Sequence, residues 1–104
     1  MAITNTRIDA VDKVVYTSPG NSAITALYLI NNGGTATDRT VSVFVVPSAG
    51  SVNDITQIYK DLDIPVSDTY LLDSERLILD AGDTIVCRAD VLDEVSCTIS
   101  SMDI

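Results

Sequence analysis

The chain predicts an all-β fold, an antiparallel β-sandwich or jelly roll of seven to eight short strands filling residues 1–104 as one domain. Three observations predict it. Apolar residues recur at every second position in segments rich in Val, Ile, Thr and Tyr, the mark of a pleated, half-buried surface. Gly, Pro, Asn and Asp cluster between those segments, where tight reversals need them. Apolar residues make up 46% of the 104, which suffices for a single core.

The elements follow in order. "KVVYT" (Lys13–Thr17) is short and β-branched. "SAITALYLIN" (Ser22–Asn31) sets Ile24, Ala26, Tyr28 and Ile30 on one face and Ala23, Thr25, Leu27 and Leu29 on the other. "RTVSVFVVP" (Arg39–Pro47) sets Val41, Val43 and Val45 against Ser42, Phe44 and Val46, and Pro47 ends it because it cannot donate to a ladder. "SPGN" and "NNGG" supply turn residues tolerant of positive φ on either side of the second strand. "DTYLLD" (Asp68–Asp73), "RLILD" (Arg76–Asp80), "DTIVCRAD" (Asp83–Asp90) and "EVSCTISSM" (Glu94–Met102) complete the set.

Val52–Pro65 reads two ways. Ile55, Ile58, Tyr59 and Leu62 have helical spacing, with Asn53 or Asp54 as a cap. The favoured reading is a loop followed by a strand "QIYKDLDI", with Ile58, Lys60, Leu62 and Ile64 on one side and Tyr59, Asp61 and Asp63 outward.

Composition limits function. The chain has no histidine, which removes the commonest general base and metal ligand and rules out Ser–His and Cys–His pairs. Neither GxxxxGK[ST] nor GxGxxG occurs. The net charge of −9 falls entirely on residues 54–104, which hold twelve acids and three bases, while residues 1–53 hold three of each. That balance argues against nucleic acid, which needs a basic footprint, and against an anionic membrane surface. The N-terminal residues lack the apolar run of a secretory signal, so a protein made and kept in a cytosol, or delivered by a route that needs no signal, is expected.

Two local features invite a chemical reading. "DAGD" (Asp80–Asp83) pairs two carboxylates, but Asp and Gly are also the residues of a turn between strands, and the turn is expected. The acids of 61–68 and 73–83 lack the D-x-[DN]-x-[DN]-G spacing of a calcium loop. Cys87 and Cys97 fall on the apolar phase of their strands. A hairpin closed by Ala89–Glu94 would place them directly opposite one another, at a spacing longer than a disulfide favours. Two buried thiols acting as small apolar fillers are expected, and no zinc, since no closely spaced Cys pair or histidine accompanies them.

In order and spacing, "VYTSPG" (Val15–Gly20), "LYLIN" (Leu27–Asn31), "VSVFVVPSAG" (Val41–Gly50), "LDAGDTI" (Leu79–Ile85) and "VSCTISSMDI" (Val95–Ile104) resemble a group of small tailed-bacteriophage virion proteins. The resemblance spans nearly the whole chain. It implies a non-enzymatic β-sandwich building block of a virion, with no catalytic residues, cofactor or metal. The expected role is a capsid decoration (cement) protein that binds the major capsid protein lattice, or another virion protein, as a homo-oligomer. A neck, tail or fibre component is the neighbouring reading, and a carbohydrate- or cation-binding adhesion module the alternative. The chain departs from the group's pattern in its acidity between Asp54 and Glu94 and in its two cysteines. Tyr16, Tyr28, Tyr59 and Tyr70 are the candidate oligomer or lattice contacts, and Asp61, Asp63 and Asp68 mark the candidate acidic face.

Overall fold

The computed structural model describes residues 2–34, 37–72, 77–91 and 94–104. Asp73 and Arg76, at the margins of two expected strands, and Leu92 and Asp93, in the expected hairpin loop, lie outside them. Among the described residues there are nine strands: β1 (Ala2–Arg7), β2 (Lys13–Thr17), β3 (Ser22–Asn31), β4 (Arg39–Val46), β5 (Gln57–Ile64), β6 (Thr69–Leu72), β7 (Leu77–Leu79), β8 (Thr84–Ala89) and β9 (Val95–Asp103). They form two antiparallel sheets packed as a β-sandwich. One sheet runs β1-β9-β3-β6, with β7 beside the first half of β3; the other runs β2-β8-β4-β5.

Period-2 patterning works here because each sheet has one face on a shared core. Leu27 and Leu29 of β3 and Val95, Cys97 and Ile99 of β9 meet Val41 and Val43 of β4, Ile64 of β5, and Ile85 and Cys87 of β8. Each large aliphatic side chain so enclosed contributes about 1.5–3 kcal/mol relative to exposure.

Bulges shift that alternation. In β3 the pairing with β9 skips Thr25: Ile24 opposes Ser101 and Ala26 opposes Ser100. The extra residue rotates the phase, so Ser22 and Ile24 face inward before it and Leu27, Leu29 and Asn31 after it. Ile24 therefore joins the core face rather than the face of Ala26, Tyr28 and Ile30. In β5, Val41 opposes Leu62 while Val43 opposes Tyr59, which leaves Lys60 and Asp61 against Ser42. Asp61 takes the left-handed conformation, φ 49, that one extra residue requires there, and the Ser42 hydroxyl accepts its N–H at 3.2 Å. The strand reading of 57–64 holds, but the bulge turns Tyr59 toward the core and Ile58 toward solvent.

Residues 47–56 fold over the outer face of the four-stranded sheet instead of forming a helix. Val52 packs on Phe44, Val46 and Val86, which explains why both faces of β4 are buried at this end. Asn53 organises the turn, accepting the Ile55 N–H on its side chain at 2.9 Å and the Thr56 N–H on its carbonyl at 3.1 Å.

The ninth strand is β1, which the sequence pattern did not signal. Its residues AITNTR carry only Ile3 as a large apolar side chain, and β9 holds them by a backbone ladder from Thr6↔Cys97 to Ile3↔Ser100. β8 and β9 are not a hairpin. β8 lies between β2 and β4 in one sheet and β9 between β1 and β3 in the other, so the connection crosses the sandwich.

Candidate interaction surface

Carboxylates define this surface by their distribution. On the outer face of the five-stranded sheet, the outward phases are Ile3, Asn5 and Arg7 of β1, Ser96, Thr98, Ser100 and Met102 of β9, Ala26, Tyr28 and Ile30 of β3, Thr69 and Leu71 of β6, and Ile78 of β7. No described residue of these outward phases is an acid, although the chain carries fifteen. Ile3 and Ile78 are 65% and 62% exposed, and Tyr28, Leu71 and Met102 are exposed beside them. Tyr28 opposes Leu71 across the ladder, and Ala23 lies between Met102 and Ile78. An apolar area of this kind on a strongly acidic chain is the candidate contact surface.

Several polar groups on this face already have partners. The Thr98 hydroxyl donates to Asn5 Oδ1 at 2.9 Å, and the Thr25 hydroxyl donates to Ser100 Oγ at 2.9 Å. Arg7 donates to Ser96 Oγ at 2.6 Å and to Asn32 Oδ1. Covering these particular donors strands none of them, which lowers the desolvation cost. Small side chains on β9 also sink the middle of the face. A depression of about 380 Å³ there is lined by Asn5, Arg7, Ile30, Asn32, Ser96 and Thr98.

The candidate tyrosines separate. Tyr28 stands on the exposed face. Tyr16 does not: the bulge in β2 after Val14 turns it inward, and its hydroxyl donates to Ser22 Oγ at 3.1 Å within the core. Tyr59 and Tyr70 pack edge to face against the core, ring centroids 5.7 Å apart, bridging β5 and β6 at the sandwich edge.

Asp61, Asp63 and Asp68 are all exposed but do not share one sheet face. Asp61 sits at the β5 bulge, Asp63 opposes Thr40 on the outside of the four-stranded sheet, and Asp68 ends the turn into β6, where it accepts the Thr69 N–H at 2.8 Å. Near Asp61, a cleft of about 330 Å³ is lined by Asp12, Phe44, Asp54, Lys60 and Arg88 among others. Arg88 closes its floor, with its guanidinium 5.4 Å from the Phe44 ring centroid and 2.9 Å from Asp12 Oδ1.

The two local features of the sequence are structural in their geometry. In "DAGD", Asp83 Oδ2 accepts the Asp80 N–H and Oδ1 accepts the Ser48 N–H, both at 2.9 Å. These two backbone donors hold the Asp83 carboxyl below its ordinary range. Gly82 takes φ 89 and donates to the Ser18 carbonyl at 2.9 Å, so one aspartate and one glycine tie together the turns at 18–21, 47–50 and 80–83. Cys87 and Cys97 are both free and buried, on facing sheets. A hydrogen bond with Cys97 and burial push the Cys87 thiol well above its ordinary range.

At the other end, Glu94 was not singled out by the sequence and is a buried acid. Its Oε2 accepts the Gly34 N–H at 3.1 Å, and Arg39 lies 3.5 Å from its Oε1. Gly33 is required by this close approach, not by a left-handed φ: a Cβ there would lie 2.7 Å from the Glu94 Cα.

Among the described residues, no group of three or more His, Cys, Asp or Glu is arranged to hold a metal ion. Compared with known proteins, the chain matches no family model, no curated protein and no solved structure.

Proposed function

We propose that the chain is a non-enzymatic structural protein of a tailed-phage particle, a capsid decoration protein that binds the major capsid protein lattice and stabilises the head through fixed protein–protein contact. The observation that carries this reading is the outer face of the five-stranded sheet, where Tyr28, Leu71, Ile78 and Met102 stand exposed with no acid among the described outward residues. A sheet face that combines exposed apolar side chains with internally hydrogen-bonded Thr98 and Thr25 hydroxyls suits permanent association, because those donors need no new partner on contact. The resemblance of the strand–turn series from Val15 to Ile104 supports the placement in a virion.

The test is co-sedimentation of tagged protein with purified particles, with copies counted against the major capsid protein. Expected is a copy number in the hundreds, with genome release at lower temperature from particles assembled without the protein. A few copies per particle would move it to the neck, tail or fibre. Absence from particles would end the virion reading.

A further inference from the structure

We infer that the outer face of the five-stranded sheet is the two-fold interface of a homodimer, its occupant being the same face of a second copy. This rests on the reading of that face as a permanent contact surface within the particle; it makes the face the seam of the decoration unit, so that the lattice is met by the remaining surface of the dimer.

Charge selects the partner. Each copy carries a net −9, so two copies repel wherever their acids approach. The described outward residues of this face carry no acid and one base, Arg7, whose side chain is held by Ser96 and Asn32. Among the described residues, two copies meet here without opposing carboxylates, and a basic partner finds none to pair with.

Shape points the same way. An isologous interface needs a surface complementary to itself under a two-fold rotation. This one has a ridge, Tyr28 and Leu71 side by side on β3 and β6, and next to it the depression over Ser96 and Thr98. Rotation about an axis between them lays the ridge of each copy into the depression of the other. The Thr98 hydroxyl and Arg7 Nη1, which line the depression, already donate within the chain, so the ridge covers them at little cost.

Size fits a dimer of modest affinity. Four ladder positions about 4.8 Å apart and about 20–30 Å long give a face of roughly 400–600 Å² in projection, below the ~800 Å² per partner of a standard-size complex.

Sedimentation equilibrium of the purified chain at 5–200 µM, in about 0.05 M and 0.5 M NaCl, tests this. A species of twice the chain mass is expected, with association strengthened at least severalfold at the higher salt because screening removes the repulsion between acidic bodies. Leu71→Glu and Thr98→Arg, on separate strands, should each shift the dissociation constant upward by tenfold or more while circular dichroism remains that of the folded chain. Ile58→Glu, an exposed apolar residue on β5 of the other sheet, should leave it unchanged. A wild-type monomer throughout overturns the inference, as does a dimer that Ile58→Glu breaks and both face variants preserve. Should the wild type be monomeric while Leu71→Glu abolishes co-sedimentation with particles, the contact-surface reading stands and the second copy is the wrong occupant. A dimer broken by the face variants but absent from particles upholds the interface and removes the virion role.

Discussion

Cys87 and Cys97 belong to different sheets and are enclosed in the same core cluster of the sandwich. Cys87 has no exposure and Cys97 1%, so neither is open to a reagent in solution. Because burial and the Cys97 contact raise the Cys87 pKa, its thiolate is scarce at neutral pH as well. An aromatic disulfide reagent at pH 8 should titrate no thiol in the native protein and two after denaturation.

The same contact fixes a pH dependence. A thiol whose folded pKa lies above the unfolded value of about 9 binds its proton more tightly when folded. Its stabilisation is complete below pH 9 and is lost as pH rises toward the folded pKa. The melting temperature should fall above pH 9, and Cys87→Ala should flatten that fall while costing about 1–2 kcal/mol at neutral pH through the lost packing. A wild-type curve as flat as the variant's would contradict the linkage.

Asp83 carries the opposite sign. Its depressed pKa means the carboxylate stabilises the fold above the ordinary value of 3.8, and the stabilisation disappears as pH falls through the folded pKa. Asp83→Ala should lower the melting temperature at pH 7 and remove part of the acid dependence below pH 4. Asp83→Asn, which keeps an acceptor for one of the two N–H donors, should fall between them. Thermal melts from pH 2 to pH 7 measure this.

Gly33 and Gly20 make a matched pair. A methyl at Gly33 meets the Glu94 backbone as well as its side chain, whereas nothing lies within 4 Å at Gly20. Gly33→Ala should cost about 2–3 kcal/mol by chemical denaturation, since backbone cannot swing aside. Gly20→Ala should stay within about 0.5 kcal/mol of the parent.

Asn31 is buried, and its Nδ2 donates to the carbonyls of Thr37 at 2.8 Å and Ile64 at 3.0 Å. Asn31→Leu would strand both acceptors while keeping the volume. The expected loss is about 2–4 kcal/mol in urea unfolding, greater than for an exposed polar residue of the same type.

Much of this fold was legible in the alternation of side chains. The limits of "KVVYT" and "SAITALYLIN" coincide with β2 and β3. What alternation could not encode was where it slips: Thr25 and Asp61 each add one residue, and beyond each the inward phase changes without any change in residue type. β1 was hidden because an edge strand held by backbone bonds needs no apolar pattern. The pairing of β8 and β9 was misread because adjacency in sequence cannot distinguish a hairpin from a crossing between sheets. For the candidate surface, the sequence supplied four tyrosines of equal standing, and the registers of β3 and β6 single out Tyr28, beside Leu71, as the exposed one. That the described outward residues of that face include no acid depends on which strands assemble into it, information spread from Ile3 to Met102.

That spread governs how the protein comes into being. β9 lies between β1 and β3, so residues 95–103 supply a middle slat to which the earliest segment must attach. Until they have emerged during synthesis, β1 has no ladder to join and β3 lacks its longest neighbour. Pairing so distant in sequence is slow to nucleate, on the order of milliseconds to seconds. Removing residues 95–104 should therefore leave an uncommitted polypeptide, because β9 is what joins β1 to β3.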